Sequence, residues 1–243
     1  MLRYFIVRKA LNRMAEPHKT FSNIRVLVFD LDGTLIDSSH DLARAVNVAR
    51  ARCDLGPLSH AQVMTFIGNG ARELVRRGIS FESGVASDAQ IELALGHFRD
   101  HYARHLLDQT RPYPGVREAL DIFARETAGP SRILAVLTNK PLRFTRPILD
   151  GLGLAPYFRF IYGEDSFPAK KPDPVGLLSI LRDTRTAPRE AMLIGDSDID
   201  VRTARNAGVW ACGVSYGLSS SQLAACPPDL MLDSLLQLPA HLD

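Results

Sequence analysis

An apolar run, Val26-Leu27-Val28-Phe29, breaks off at Asp30-Leu31-Asp32-Gly33-Thr34, and that junction constrains the fold more than any other part of the chain. A short apolar run closed by a turn signal reads as a buried strand of the kind found in parallel sheets. Alternate residues of an extended segment point to one side, so Asp30 and Asp32 converge on a small volume at the strand's carboxyl end. Two converging acids need a shared proton or a cation, and hard carboxylate oxygens suit Mg²⁺. A carboxylate held beside such a metal stays ionised and is able to attack phosphorus. Taken alone the junction also fits an ordinary strand-end turn, because Asp-Gly is a common turn pair.

Three later segments carry what phosphoryl transfer would need. Ile133–Leu137 is a second buried-strand run, and it ends in Thr138-Asn139, a hydroxyl and an amide suited to phosphate oxygens. Lys170-Lys171-Pro172-Asp173-Pro174 follows a third apolar stretch, Phe158 to Tyr162, and offers a cation on a proline-stiffened loop. A fourth strand, Ala191–Ile194, runs into Gly195-Asp196-Ser197-Asp198-Ile199-Asp200. Ligands of open α/β sheets bind beyond the carboxyl ends of the strands, so these four ends describe one site.

With these segments in this order, the chain resembles the haloacid dehalogenase superfamily of phosphohydrolases. The motifs that carry the likeness are Asp30-Leu31-Asp32-Gly33-Thr34, Thr138, Lys171 within Lys-Pro-Asp-Pro, and Gly195-Asp196 with Asp200. The resemblance implies a doubly wound parallel sheet, a Rossmann-like α/β core flanked by helices, and the alternation of apolar runs with helical patterns points the same way. The expected organisation is an N-terminal extension over residues 1–22, a core over 23–38 and 109–243, and an inserted helical cap over 39–108.

Helical spacing in that insertion supports the cap: Leu42, Val46 and Ala49 recur on one face, as do Ile91, Leu95, Phe98, Tyr102 and Leu106. Ser38 with Asp41 is read as the start signal of the first cap helix. Pro112-Tyr113-Pro114-Gly115 is the return linker, and such linkers act as hinges when a cap closes over substrate. Within the cap, Gly68-Asn69-Gly70 leads into Ala71-Arg72-Glu73-Leu74 and places a glycine turn at the head of a helix. That turn reads either as a plain helix cap or as an anion site made of free backbone N–H groups. The stretch resembles the cap signature of phosphoglycolate phosphatases, which nominates Gly68, Asn69, Gly70 and Arg72 for substrate contact and 2-phosphoglycolate as substrate. His97, His101 and His105 recur at a spacing able to bind metal, but they flank the apolar stripe and are read as a half-exposed polar face.

Carried over position by position, the resemblance makes Asp30 the nucleophile and Asp32 the general acid and base. Mg²⁺ falls to the Asp30 carboxylate, the Asp32 carbonyl and Asp196. Gly33, through its backbone N–H, joins Thr138, Asn139 and Lys171 on the phosphoryl oxygens, and Asp200 orients either Lys171 or metal-bound water. Asp32 argues against the dehalogenases, which lack a second acid. The absence of lysine from residues 39–108 argues against phosphonoacetaldehyde hydrolases, and Thr34 argues against sugar-phosphate mutases, where valine is usual. A nucleotidase, pyrophosphatase or sugar-phosphate phosphatase remains open, as does a catalytically silent binding protein on the same scaffold.

The 243 residues can bury about 70–75% of their unfolded surface, enough for a core and a smaller unit. A net charge of +2 gives no bulk attraction for nucleic acid or anionic membrane, which leaves a small phosphorylated metabolite as partner and a monomer or homodimer as the assembly. Cys53, Cys212 and Cys226 form no Cys-x-x-Cys pair, so a reducing cytoplasm is the expected compartment. The segment from Met1 to Lys19 carries five basic residues against Glu16, without the apolar middle or cleavage site of a secretory signal. It is read as a flexible or loosely helical extension, or as a start assigned upstream of Met14.

Overall fold

Residues 20–81, 84–125 and 132–243 are described by the structure, a computed structural model. The basic segment 1–19, and with it any reading of its role, lies outside them.

Strand β1 (Val26–Phe29) forms where expected and is buried along its whole length. It is flanked in parallel by β4 (Ile133–Leu137) and β6 (Ala191–Gly195). Strands β5 (Phe160–Tyr162), β7 (Trp210–Val214) and β8 (Leu230–Leu232) complete a six-stranded sheet in the order β5-β4-β1-β6-β7-β8, parallel throughout. The chain winds outward from β1 to β5, then returns to the other side of β1 and winds outward to β8. This is the doubly wound arrangement expected, and its switch point lies beside β1, where such sheets open a crevice.

The period of two along β1 divides the core. Leu27 and Phe29 pack with helices α5 (Val116–Arg125) and α6 (Leu142–Gly151). Val26 and Val28 face the other way, onto α7 (Val175–Thr184) and α8 (Asp198–Ala207). Covering both faces removes nearly every strand residue from water, which accounts for continuous apolar runs in place of alternation.

The chain joins this core earlier than residue 23. Phe21 is buried, its N–H donates to the His241 carbonyl at 2.8 Å, and its ring meets Trp210 edge-on at 5.0 Å. An aromatic anchor thus precedes the first strand, inside the stretch 1–22 read from sequence as an extension.

Between β2 (Ile36–Asp37) and β3 (Arg111–Pro112), which pair antiparallel, the chain builds four helices. They are α1 (Ser39–Ala51), α2 (His60–Met64), α3 (Ala71–Ser80) and α4 (Asp88–Tyr102). Leu42, Val46, Ala49, Ile91, Leu95, Phe98 and Tyr102 share one apolar cluster, joined from the core by Phe144. Helix α4 stops at Tyr102, so Leu106 falls beyond the helical stripe, half-buried between this cluster and the core.

The expected start signal of α1 is built differently. Ser38 occupies the cap position but its hydroxyl donates to Asp32 Oδ1 at 2.5 Å instead of serving the helix. Asp41 accepts from the Gln109 and Thr110 N–H groups and from the Thr110 hydroxyl, tying the first turn of α1 to the chain that returns from the cap. Both side chains have a stronger claim elsewhere, one on a catalytic candidate and one on an otherwise unpaired backbone turn.

Candidate active site

The sheet delivers its polar groups to one crevice. Asp30 follows β1, Thr138, Asn139 and Lys140 follow β4, Asp196 follows β6, and the loop beyond β5 supplies Lys171. All of these line a cavity of about 50 Å³ whose roof is the cap, through Leu42, Ile67, Gly68, Gly70, Ala71 and Leu74.

Lys171 sits at the centre of the floor. Its ammonium donates to Asp30 Oδ1 at 2.7 Å and to Asp200 Oδ1 at 2.6 Å, and its side chain is 4% exposed. Asp200 is fixed in turn by the N–H and hydroxyl of Ser197, at 3.2 and 2.6 Å. Asp196 accepts the Ser219 N–H at 2.8 Å. Lys170, half-exposed, instead reaches the cap and donates to the Asn69 carbonyl at 2.8 Å. The buried lysine of the pair is thus the one carried over from the family motif.

Oxygens of Asp30, Asp196 and Asp200 lie within 4.8 Å of one another, the one such group of potential metal ligands among the described residues. Burial raises the Asp30 carboxyl from 3.8 to about 6, with Lys171 pulling it down and Asp200 and Asp32 pushing it further up. Asp196 is raised well above the ordinary carboxylate value, first by burial and then by Asp30 and Asp200. One lysine among three buried acids leaves a deficit of positive charge, and a divalent cation with hard-ligand preference fits that deficit.

Gly33 shows how tightly the floor is drawn. Its φ of +88° suits glycine alone, and a Cβ there would stand 2.1 Å from Asp196 Oδ2. The turn after Asp32 therefore has to be glycine both for its backbone and for the acid beside it.

A second cation, Lys140, was not nominated from sequence. Its ammonium lies 2.9 Å from both oxygens of Asp32, with its side chain 4% exposed, and 4.8 Å from the centre of the Tyr102 ring. Burial alone would depress its pKa, but the attraction of Asp32 outweighs that and keeps it above the ordinary lysine value. The signal was a lysine directly after the Thr138-Asn139 pair; what it meets, Asp32 from β1 and Tyr102 from the cap, is decided by tertiary packing.

Asn139 is placed differently from expectation. Its amide nitrogen donates to the Lys171 carbonyl at 3.1 Å and lies 3.5 Å from the Gly68 carbonyl, so it ties two loops together instead of holding donors open to the crevice. Thr138 is buried, and its hydroxyl oxygen accepts the Lys140 N–H at 3.2 Å, which leaves its proton for the crevice.

In the cap, Gly68 and Gly70 reach the crevice, and Gly70 stands at the head of α3 with φ +85°. The Asn69 carbonyl faces Lys170. Arg72 is turned away: its guanidinium pairs with Asp88 and Glu92 of α4, each at 3.1 Å, on the solvent side of the cap. One residue into the helix from Ala71, its direction is set by the helical rotation, and it does not line the crevice. His101 and His105 stack at 4.2 Å, and His105 Nδ1 lies 2.8 Å from Asp108, all three half-buried or exposed.

Comparison with known proteins decides the family. The haloacid dehalogenase-like hydrolase family matches residues 27–214. The chain belongs to that family. Phosphoglycolate phosphatase of Pseudomonas putida is 41% identical over 217 residues, covering 87% of this chain and 77% of that protein. The enzyme of the same name from Vibrio parahaemolyticus is 37% identical, covering 90% and 96%. The crystal structure of a predicted phosphoglycolate phosphatase from Haemophilus somnus superposes with a TM-score of 0.84 at 30% identity, covering 90% of this chain and 97% of its own. The likeness to phosphoglycolate phosphatases read from the cap is therefore present over most of this hydrolase. No helix among the described residues is long and apolar enough to cross a membrane.

Proposed function

We propose that the protein is a Mg²⁺-dependent phosphomonoester hydrolase that converts 2-phosphoglycolate to glycolate and phosphate. The observation that carries this is the buried floor in which Lys171 bridges Asp30 and Asp200 while Asp196 stands beside them. A nucleophile, a phosphate-binding cation and an acidic metal site are together in one place, and the relatives named above act on this substrate by name.

Asp30 attacks phosphorus in line; its carboxylate oxygen bonds to phosphorus as the bond to the ester oxygen breaks. Asp32, steadied by Ser38 and Lys140, passes a proton to the departing oxygen. Water then attacks the phosphorus of the aspartyl-phosphate, Asp32 takes its proton, and the Asp30–phosphorus bond breaks to free phosphate. Lys171, Thr138 and the backbone N–H of Gly33 hold the phosphoryl oxygens while charge is redistributed among them. Asp200 keeps Lys171 aimed at the floor, and Asn139 holds the Lys171 loop against the cap turn. Asp30 and Asp196, with the Asp32 carbonyl, would hold Mg²⁺, which offsets the repulsion between two anions when bound. The closed cap keeps bulk water from the aspartyl-phosphate, and Gly68 and Gly70 bring the N-terminus of α3, favourable to anions, over the substrate.

A small crevice with an apolar roof favours this substrate over nucleotides and sugars, whose many hydroxyl and base groups would find few partners there. Phosphate release with Mg²⁺ across 2-phosphoglycolate, sugar phosphates, nucleoside monophosphates and pyrophosphate tests the reading, with a chelator as control. Preference for 2-phosphoglycolate, abolished by chelation, is expected. Preference for a nucleotide or pyrophosphate would keep the mechanism and discard the substrate, and no release from any of them would revive the silent scaffold.

A further inference from the structure

The mechanism uses Lys140 only to steady Asp32, yet a buried lysine is a costly way to hold a carboxylate that Ser38 already engages. Its location indicates more. Asp32 serves the departing oxygen in that mechanism, so the ammonium 2.9 Å from it stands with the leaving group, whereas Lys171 is engaged with the nucleophile Asp30. Among the described residues lining the crevice these two lysines are the cations. Lys171 already lies between two carboxylates, Asp30 and Asp200, whereas Lys140 lies against one.

Tyr102 supplies an independent sign of a missing partner. Tyr102 lines the crevice, and its buried hydroxyl makes no hydrogen bond of good geometry among the described residues. A protonated lysine beside it has no acceptor to offer, so the phenolic proton is unclaimed, at a cost that a bound acceptor would remove. Burial raises the phenol to about 12, so it stays a donor. The surrounding apolar side chains, Leu42, Ile67, Leu74 and Phe98 of the cap and Phe144 of the core, offer no competing hydrogen bonds and lower the local dielectric.

Resting on the phosphatase reading above, we infer that Lys140 and the Tyr102 hydroxyl form the subsite for a carboxylate carried by the leaving group, and so select carboxylated alkyl phosphates over neutral ones. In 2-phosphoglycolate that carboxylate is one methylene beyond the ester oxygen, on the side of Asp32. Binding it would give Lys140 the second anionic partner that Lys171 already has and would satisfy the tyrosine.

The test compares kcat/KM of the Mg²⁺-loaded full-length protein on 2-phosphoglycolate and on its amide, 2-phosphoglycolamide. Wild type is expected to favour the acid by about 10- to 100-fold, the range for hydrogen bonds to a charged group. Lys140→Met slows both substrates by weakening support of Asp32, but the acid-to-amide ratio falls to near one; Lys140→Arg restores part of the ratio, and Tyr102→Phe lowers it severalfold. A wild-type preference that survives Lys140→Met unchanged overturns the subsite while leaving the substrate reading intact. Should Lys140→Met fail to fold, Tyr102→Phe decides, and an unaltered ratio there counts against the subsite. Wild type with no turnover of 2-phosphoglycolate, but with turnover of another phosphomonoester, fails the substrate reading itself.

Discussion

Lys171 on the floor of the crevice and Arg72 on the cap have the same local diagram: each is a cation bridging two carboxylates at close range. They differ in exposure, 4% for the Lys171 side chain against 47% for that of Arg72. Water screens the Arg72 pairs and would take over their hydrogen bonds if they broke, so they add little. Lys171 and its two partners are buried, so water has little room to replace a broken hydrogen bond there. The same residue types therefore form a buried bridge in one region and a solvent-screened pair in the other, and burial separates the two.

The largest expected effect comes from breaking the buried case. Lys171→Met leaves Asp30 and Asp200 facing each other without a cation, and unfolding in the presence of chelator should show a loss of about 3–5 kcal/mol. Turnover should fall by about 10²- to 10³-fold, as when a fixed charge facing a developing anion is removed. The matched experiment on the cap, Arg72→Ala, should leave kcat/KM within about twofold of wild type. A large loss in Arg72→Ala would mean that the cap's outer face reaches the substrate after all, and the comparison would collapse.

The two regions also differ in how far they could be read from sequence. Asp30, Lys171 and Asp196 were legible because each lies directly beyond a strand or in a motif whose order along the chain mirrors the sheet, and β1 was legible because a buried parallel strand is apolar on both faces. Lys140 was not, although it follows Thr138-Asn139 without a gap: its meaning depends on Asp32, 108 positions away, and on Tyr102, which reads only as part of a helical apolar stripe. Asn139 is ambiguous for a related reason, since an amide at a strand end suits either a ligand or a neighbouring loop, and here its nitrogen donates to the Lys171 carbonyl while the residue lines the crevice. Arg72 is turned from the crevice by helix geometry. The turn before α3 lies at the crevice, but the rotation of about 100° per residue past Ala71 points a long side chain away from it. Ser38 was legible as a helix-start residue and yet its hydroxyl belongs to Asp32, a competition that no local pattern reveals.

The smallest effect sharpens the comparison from the cap side. Glu73 in the first turn of α3 accepts from Arg76 at 2.6 Å and from Arg77 at 2.6 Å. The Arg76 hydrogen bonds hold its carboxyl down to about 2 from 4.5, with burial opposing them and Arg77 adding to them. A carboxylate whose pKa is lower folded than unfolded contributes stability that is fully present above its unfolded value and is lost as pH falls through the folded one. Here that window runs from about 4.5 down to about 2. Because the side chain is a quarter exposed, screening reduces the contribution, and Glu73→Gln should destabilise the protein by less than about 1 kcal/mol near neutral pH. Urea unfolding of the two proteins should show their difference shrinking as pH drops through the window and shrinking also in high salt, with kcat/KM unaltered at neutral pH. A cost matching that of Lys171→Met, or a difference indifferent to salt, would show that an ion pair on the cap surface is as binding as one on the crevice floor, and burial would no longer account for the contrast between the two regions.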